Sequence, residues 1–320
     1  MNSFKKEYKE ALQLIESSHY IVVVTHINPD PDTLSCALAL SNYFNKNNIN
    51  HKIYNVSKNL PLHLSFLPRF HKITDQFPTK YDLVIYVDCG DQERGSIQLD
   101  NNCQIINIDH HQSNNNYGDI NIVDFAKGST AEVLYGFFNT NGIKITKDIA
   151  TCLYLGIYDD TIAFTTPRTN AQTFEVVNHL VTTGIEPSFI AESFIMKDSL
   201  AKYRMLPKIL STLQLHLSAQ VATIYQKEEW LDSTGASFNE CDEVVNDILK
   251  IAVVKVALYL REQNNKIRVS LRGKHSDIDL SLVASKFSGG GHQNAAGCTI
   301  EYDDIDSAMK EILEVLKSYI

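Results

Sequence analysis

The chain has 320 residues, more than one compact domain usually holds, so two domains are expected. Hydrophobic residues make up 44% and charged residues 21%, the balance of a globular soluble protein, and no apolar run approaches the roughly 18 residues that span a bilayer. A net charge of −9 excludes the broad basic face that long nucleic acid needs, but not a short phosphorylated ligand held by metals and a few local cations.

Residues Met1 to Ser18 are amphipathic and mixed in charge, without the apolar block or cleavage site of a signal peptide, so the expected location is cytoplasmic. Alternation of strand and helix then dominates the first half. Tyr20–Thr25 is a β-branched run that reads as a buried parallel strand, and a helix is expected from about Thr33 to Asn45. Lys52–Val56 is a weaker strand, and Asp82–Val87 and Gln104–Ile108 are further buried ones. Asn114–Asn116 reads as a loop signal only. Thr130–Phe138 and Lys147–Tyr158 read as helices, the second capped by Thr146. Such alternation implies a parallel sheet with right-handed crossovers.

A helical pattern with few turn signals over about 188–217 reads as a connector. Beyond it strands are expected at Ala219–Tyr225, Val253–Leu260, Lys266–Leu271 and Ala295–Glu301, and helices at Cys241–Leu249, Asp277–Phe287 and Asp304–Leu316. The fold class is therefore α/β, a mostly parallel sheet flanked by helices followed by a smaller mixed α/β domain. Cysteines at 36, 89, 103, 152, 241 and 298 form no C-x-x-C pair and read as free thiols, which leaves neither a zinc knuckle nor a disulfide framework.

Acidic and histidine clusters gather at the ends of these elements. In an open parallel sheet the C-terminal strand edge is where ligands bind. His26-Ile-Asn-Pro-Asp30-Pro-Asp32 follows the first strand. Each proline restricts the residue before it, and in an extended run His26, Asp30 and Asp32 share a face by alternation. One imidazole and two carboxylates suit Mn²⁺ or Mg²⁺, although a polar turn with Asp32 capping the next helix reads equally well. Asp88 ends the strand at 82–87, where a cap or turn residue is the common alternative. Asp109-His110-His111 ends the strand at 104–108. Adjacent histidines cannot face the same way along a strand, so one can bind metal while the other faces a substrate. Asp159 and Asp160 end a helix, where the dipole disfavours carboxylates and a compensating cation is a reasonable inference. Two divalent ions need a set of this size. In the second half, Gly289-Gly290-Gly291-His292 offers backbone amides and a side-chain donor to an anion. Arg272 ends a strand and could reach the same place with its planar fork, unless it is a solvated surface residue.

The ordered set H-x-N-P-D-x-D, strand-end D, D-H-H, G-I-x-x-D-T and G-G-G-H-x-N-A-A-G resembles the DHH/DHHA1 phosphoesterases over nearly the whole chain. Within them it looks like the nanoRNase/pAp-phosphatase branch, whose members cleave very short RNAs and remove the 3′-phosphate of 3′-phosphoadenosine 5′-phosphate. The resemblance implies a DHH catalytic domain over 1–187, a helical connector over 188–217, a DHHA1 substrate-binding domain over 218–320, and an active site in the cleft between the two domains. It implies one metal on His26, Asp30 and Asp88, and a second on Asp32, Asp88, His110 and Asp160, with Asp88 bridging. His111 would face the reacting phosphate and Asp109 would orient the site. Arg272, Gly289, Gly290, Gly291 and His292 would hold a substrate phosphate or the neighbouring nucleotide. Mn²⁺ is the expected ion, with Mg²⁺ as the alternative. Short RNA oligonucleotides and nucleotide phosphates are the expected partners, without long nucleic acid or membrane, and a homodimer is compatible. The competing reading on the same scaffold is a cyclic or linear dinucleotide phosphodiesterase. A manganese pyrophosphatase would share the first motifs but lack G-G-G-H, and a non-catalytic nucleotide sensor would have lost ligands. Two departures from the family pattern lie at the mouth of the site. Ile162 stands where a glycine usually follows D-T, and Leu34, Ser35 and Cys36 stand where a small G-S pair is usual.

Overall fold

The computed structural model describes residues 4–58, 60–99, 103–195, 198–274, 278–301 and 304–320, and the side chain of His292 lies outside the description. The chain divides into two compact units, Met1–Lys197 and Asp198–Ile320. Among the described residues, no helix is long and apolar enough to cross a membrane. None of the six cysteines is in a disulfide.

The first unit is one sheet with helices on it. Its strands are β1 (Ile21–Val24), β2 (His51–Tyr54), β3 (Ile73–Thr74), β4 (Leu83–Val87), β5 (Gln104–Asp109) and β6 (Ile120–Val123). They pair in parallel throughout, in the order β3-β2-β1-β4-β5-β6. The helices are α1 (Lys5–Ser17), α2 (Pro31–Lys46), α3 (Thr130–Thr140), α4 (Lys147–Asp160), α5 (Ala171–Thr182) and α6 (Pro187–Ile195). β1 and β4 are buried at every position, which is why both read as unbroken apolar runs. Strand order reverses between β1 and β4, and a crevice forms at such a reversal beyond the carboxyl ends of the strands. α2 is buried on all sides from Asp32 to Ser41 because it packs along α4 as well as against the sheet.

Two details differ from the sequence reading. The run after β1 is not extended to Asp32. Asp30 is the N-cap of α2, accepting the Thr33 amide at 3.0 Å, and Pro31 opens the helix, so Asp32 lies in its first turn. The short strands β3 and β6 and the helix α5 were not expected. β6 is partly polar and lies at the sheet edge, which leaves little periodicity to detect.

The second unit holds α7 (Leu200–Leu210), β7 (Gln214–His216), β8 (Val221–Gln226), α8 (Glu229–Thr234), α9 (Val244–Leu249), β9 (Val256–Gln263), β10 (Lys266–Gly273), α10 (Leu280–Ser285), β11 (Gly290–His292), β12 (Ala295–Ile300) and α11 (Ile305–Leu316). Its mixed sheet runs β11-β12-β10-β9-β8-β7. Val256, Leu258, Leu260, Val269 and Leu271 pack with α10 and α11 on one face, and Ala257 and Tyr259 pack with α7 and α9 on the other. Residues 188–217, read as a connector, carry α6 in the first unit and α7 with β7 in the second. The glycine run is not wholly a loop: Gly290–His292 is an edge strand paired with Ala295–Gly297. Gly291 has φ 146°, and a side chain on Gly289 would run into the backbone of Gly297, so close strand approach accounts for both glycines.

Candidate metal centre

The carboxyl ends of β1, β4 and β5 and the ends of α2, α3 and α4 meet at the strand-order reversal. Three sets of side chains each bring their ligand atoms within 4.8 Å of one another: His26, Asp30 and Asp88; Asp32, His110 and Asp160; and Asp88, His110 and His111. His26 Nε2 lies 3.2 Å from Asp30 and 3.6 Å from Asp88, and His110 Nε2 lies 3.0 Å from Asp160 and 3.7 Å from Asp88. Asp88 thus touches both histidines. Its own backbone is left-handed, at φ 59°, a conformation that costs an aspartate energy and turns it out of the strand direction.

The surrounding chain fixes these groups. Asp32, fully buried, accepts the amides of Thr130 at 2.7 Å and Ala131 at 3.1 Å, so the N-terminus of α3 points at its carboxylate. Thr130 Oγ1 donates to Asp88 at 2.7 Å. A side chain on Gly156 would collide with Asp32 Oδ1 and Ala131 Cβ, which explains the glycine in the motif before Asp160. Asp109 accepts the amides of His110 and His111 and Asn114 Nδ2, and its Oδ1 lies 2.7 Å from His111 Nδ1. Burial alone would raise the Asp109 carboxyl, but these donors, His111 first, hold it below the ordinary carboxylate range. The sequence reading passed over Thr130 and Asn114. The S-x-x-E pattern of Ser129 and Glu132 marks the start of α3 and was the available signal for the first. Asn114 had no signal beyond its loop.

The donor chemistry fits divalent cations. Nδ1 of His26 lies 3.0 Å from the Ile27 carbonyl oxygen and Nδ1 of His110 lies 3.3 Å from that of Lys127. With the proton on Nδ1, each Nε2 lone pair faces carboxylate oxygens, an arrangement that requires a cation between them. In the metal-free protein, protons answer that demand. Burial opposes charge on His26, but the hydrogen bonds to Asp30 and Asp88 outweigh it and raise His26 to about 10. The same balance, with Asp160 as the main partner, raises His110 to about 9. Asp32 is pushed well up, by burial first and then by Asp160, Asp88 and Asp30.

Beside the centre, a cavity of about 360 Å³ is lined by His110, His111, Gly128, Asp160, Pro167 and Arg168, among others. After Asp160 the chain turns through Ile162, Ala163 and Phe164 at φ 48°, 53° and 67°. Glycine enters that region without strain, so Ile162 pays a steric penalty where the family pattern has glycine.

In the second unit, Arg268, Ser270 and Arg272 alternate along one face of β10 and line a cavity of about 490 Å³ with Ser288, Gly289 and Gly290. Arg272 is half-buried and its Nη1 donates to the Leu271 carbonyl oxygen at 3.1 Å. The Gly289 amide donates to the Ala284 carbonyl oxygen at 2.9 Å and is not available to an anion. The side chain of His292, expected at this pocket, lies outside the described residues.

This fold and this cluster belong to one class. The DHH family, N-terminal domain, matches residues 20–157, and the DHHA1 domain matches residues 216–319. The chain belongs to the DHH/DHHA1 family of phosphoesterases, and this family is metal-dependent. It is 28% identical to the bifunctional oligoribonuclease and PAP phosphatase NrnA of Thermus thermophilus, over 96% of this chain and 92% of that protein. It is 25% identical to the protein of the same name from Bacillus subtilis, over 97% of this chain and 99% of that one. An exopolyphosphatase-related protein from Bacteroides fragilis shares the fold, with a TM-score of 0.92, 24% identity, and coverage of 98% of this chain and 96% of that one.

Proposed function

We propose that this protein hydrolyses short oligoribonucleotides to mononucleotides and 3′-phosphoadenosine 5′-phosphate to AMP. The observation that carries the reading is Asp88, strained, buried and within reach of both His26 and His110, at the strand-order reversal. His26, Asp30 and Asp88 would hold one divalent ion, and Asp32, Asp88, His110 and Asp160 the other, with Mn²⁺ the favoured ion over Mg²⁺. Such ions supply Lewis-acid polarisation of a phosphoester. His111, with Nδ1 held by Asp109, would turn Nε2 toward the phosphoryl group and stabilise charge developing on it. Residues 1–187 would form the catalytic part, and Arg272 in 218–320 would grip a second phosphate, with Gly290, Gly291 and His292 beside it.

An acidic chain suits this role, since a short substrate needs two anchor points and no long basic track. Purified protein with Mn²⁺ should be incubated with 3′-phosphoadenosine 5′-phosphate, di- to pentanucleotides, cyclic dinucleotides, pyrophosphate and a long RNA. Release of AMP and mononucleotides from the first two classes is expected. Turnover confined to cyclic dinucleotides or pyrophosphate would replace the substrate assignment.

A further inference from the structure

The loop leaving the metal centre carries a cation that nothing so far accounts for. Past Asp160 the amides of Thr165 and Thr166 both return to the Thr161 carbonyl oxygen, at 2.8 and 3.1 Å, and the Thr169 amide donates to the Thr166 carbonyl oxygen at 3.0 Å. Asn170 caps α5 through Oδ1 while its Nδ2 donates to the Arg168 carbonyl oxygen at 3.0 Å. The backbone of Arg168 is therefore held from both sides. Its exposed side chain lines the same cavity of about 360 Å³ as His110, His111 and Asp160, a size within the range of small-ligand sites.

Asp160 pairs with His110 at 3.0 Å, and among the described residues Arg168 forms no ion pair. A guanidinium that lines a cavity without being spent on a carboxylate keeps its planar fork for another anion. A fixed cation lining the open side of the cavity adds to the pull on an entering phosphate.

We infer that Arg168 is an anion contact of this cavity, holding a nonbridging phosphoryl oxygen of the substrate beside His111; the assignment rests on the phosphoesterase reading above. The probe is orthophosphate, titrated calorimetrically into Mn²⁺-saturated wild type, Arg168→Ala and Arg168→Lys. Mn²⁺ affinity and Tm are measured for each. Orthophosphate affinity should fall about ten- to a hundredfold in Arg168→Ala, the usual loss for a charge-assisted contact. It should recover in part in Arg168→Lys, which restores charge without the fork. Mn²⁺ affinity and Tm should stay at wild-type values. Equal orthophosphate affinity in wild type and Arg168→Ala, no orthophosphate binding by wild type, or a matching loss of Mn²⁺ affinity would each overturn the contact. Wild-type turnover of 3′-phosphoadenosine 5′-phosphate is assayed alongside. A protein that binds orthophosphate through Arg168 and leaves that nucleotide intact keeps the contact and sinks only the substrate assignment.

Discussion

In the first unit the central chemistry-bearing groups are buried and cross-braced, while Asp30 and His111 stay partly exposed. Asp32, Asp88 and Asp109 are buried, and each is held by donors from another element or from its own loop. In the second unit the corresponding groups, Arg268 and Arg272, stand on an open sheet face, and Arg272 donates to the neighbouring Leu271 carbonyl oxygen. The two regions face different demands. Ligands that share an ion must hold their mutual positions to a fraction of an ångström, so they are buried among fixed partners and tolerate strain. A contact to a mobile phosphate needs charge and reach, and exposure allows both.

The comparison breaks most sharply at Asp88. Asp88→Ala removes the group shared between the two ligand sets, and steady-state assays with Mn²⁺ should show kcat reduced by at least about a thousandfold, since metal polarisation supplies several kcal/mol. A near-normal rate would dissolve the two-metal assignment. Next is His111→Ala, expected to lower kcat by about 10²–10³-fold as for other lost charge-stabilising donors, with Mn²⁺ affinity nearly unchanged. His110→Ala should weaken Mn²⁺ binding as well, and equal metal loss in both variants would reject that division.

Mn²⁺ affinity itself should depend on pH. His26 and His110 hold protons up to about 10 and 9 in the metal-free centre, and both must lose them to ligate. The affinity of each site should therefore rise with pH, by up to about tenfold per pH unit below the value of its histidine. The sign for stability agrees. Raised histidine values contribute stability to the metal-free fold that is fully present below the unfolded value near 6.5 and lost as pH rises through about 9 to 10. The Tm gain from added Mn²⁺ should grow from pH 6.5 to 9, and a flat or falling gain would mean that neither histidine binds the ion.

The open face predicts smaller effects. Arg272→Ala should cost about ten- to a hundredfold in kcat/KM for 3′-phosphoadenosine 5′-phosphate and far less for bis-p-nitrophenyl phosphate, which lacks a second anchor. Equal losses on both esters would make Arg272 structural. The smallest effect belongs to the rim of the metal centre. Ile162 is 69% exposed at φ 48°, so Ile162→Gly gives up little packing and relieves strain. Thermal unfolding should show a gain of up to about 1 kcal/mol, relief of the left-handed penalty less the entropy that glycine loses on folding. A clear destabilisation would show that the side chain packs on something that its exposure hides.

The sequence by itself determined the parallel sheet, the mixed second domain and the acidic and histidine groups at strand ends. These are properties of local composition: apolar runs form buried strands, and polar residues that end them must lie at the sheet edge. The folded chain decided what those residues do to one another. Alternation along an extended run grouped His26, Asp30 and Asp32, whereas the helix starting at Pro31 sends Asp32 to His110 and Asp160 instead. Glycine flexibility explained Gly289–Gly291, whereas strand pairing explains much of it. Asn114 and Arg168 had no motif to mark them, and the capping pattern of Ser129 and Glu132 marked only where the helix of Thr130 starts. Each lies far along the chain from at least one group that it braces or faces, and such meetings follow from how strands and helices pack, which local periodicity does not encode.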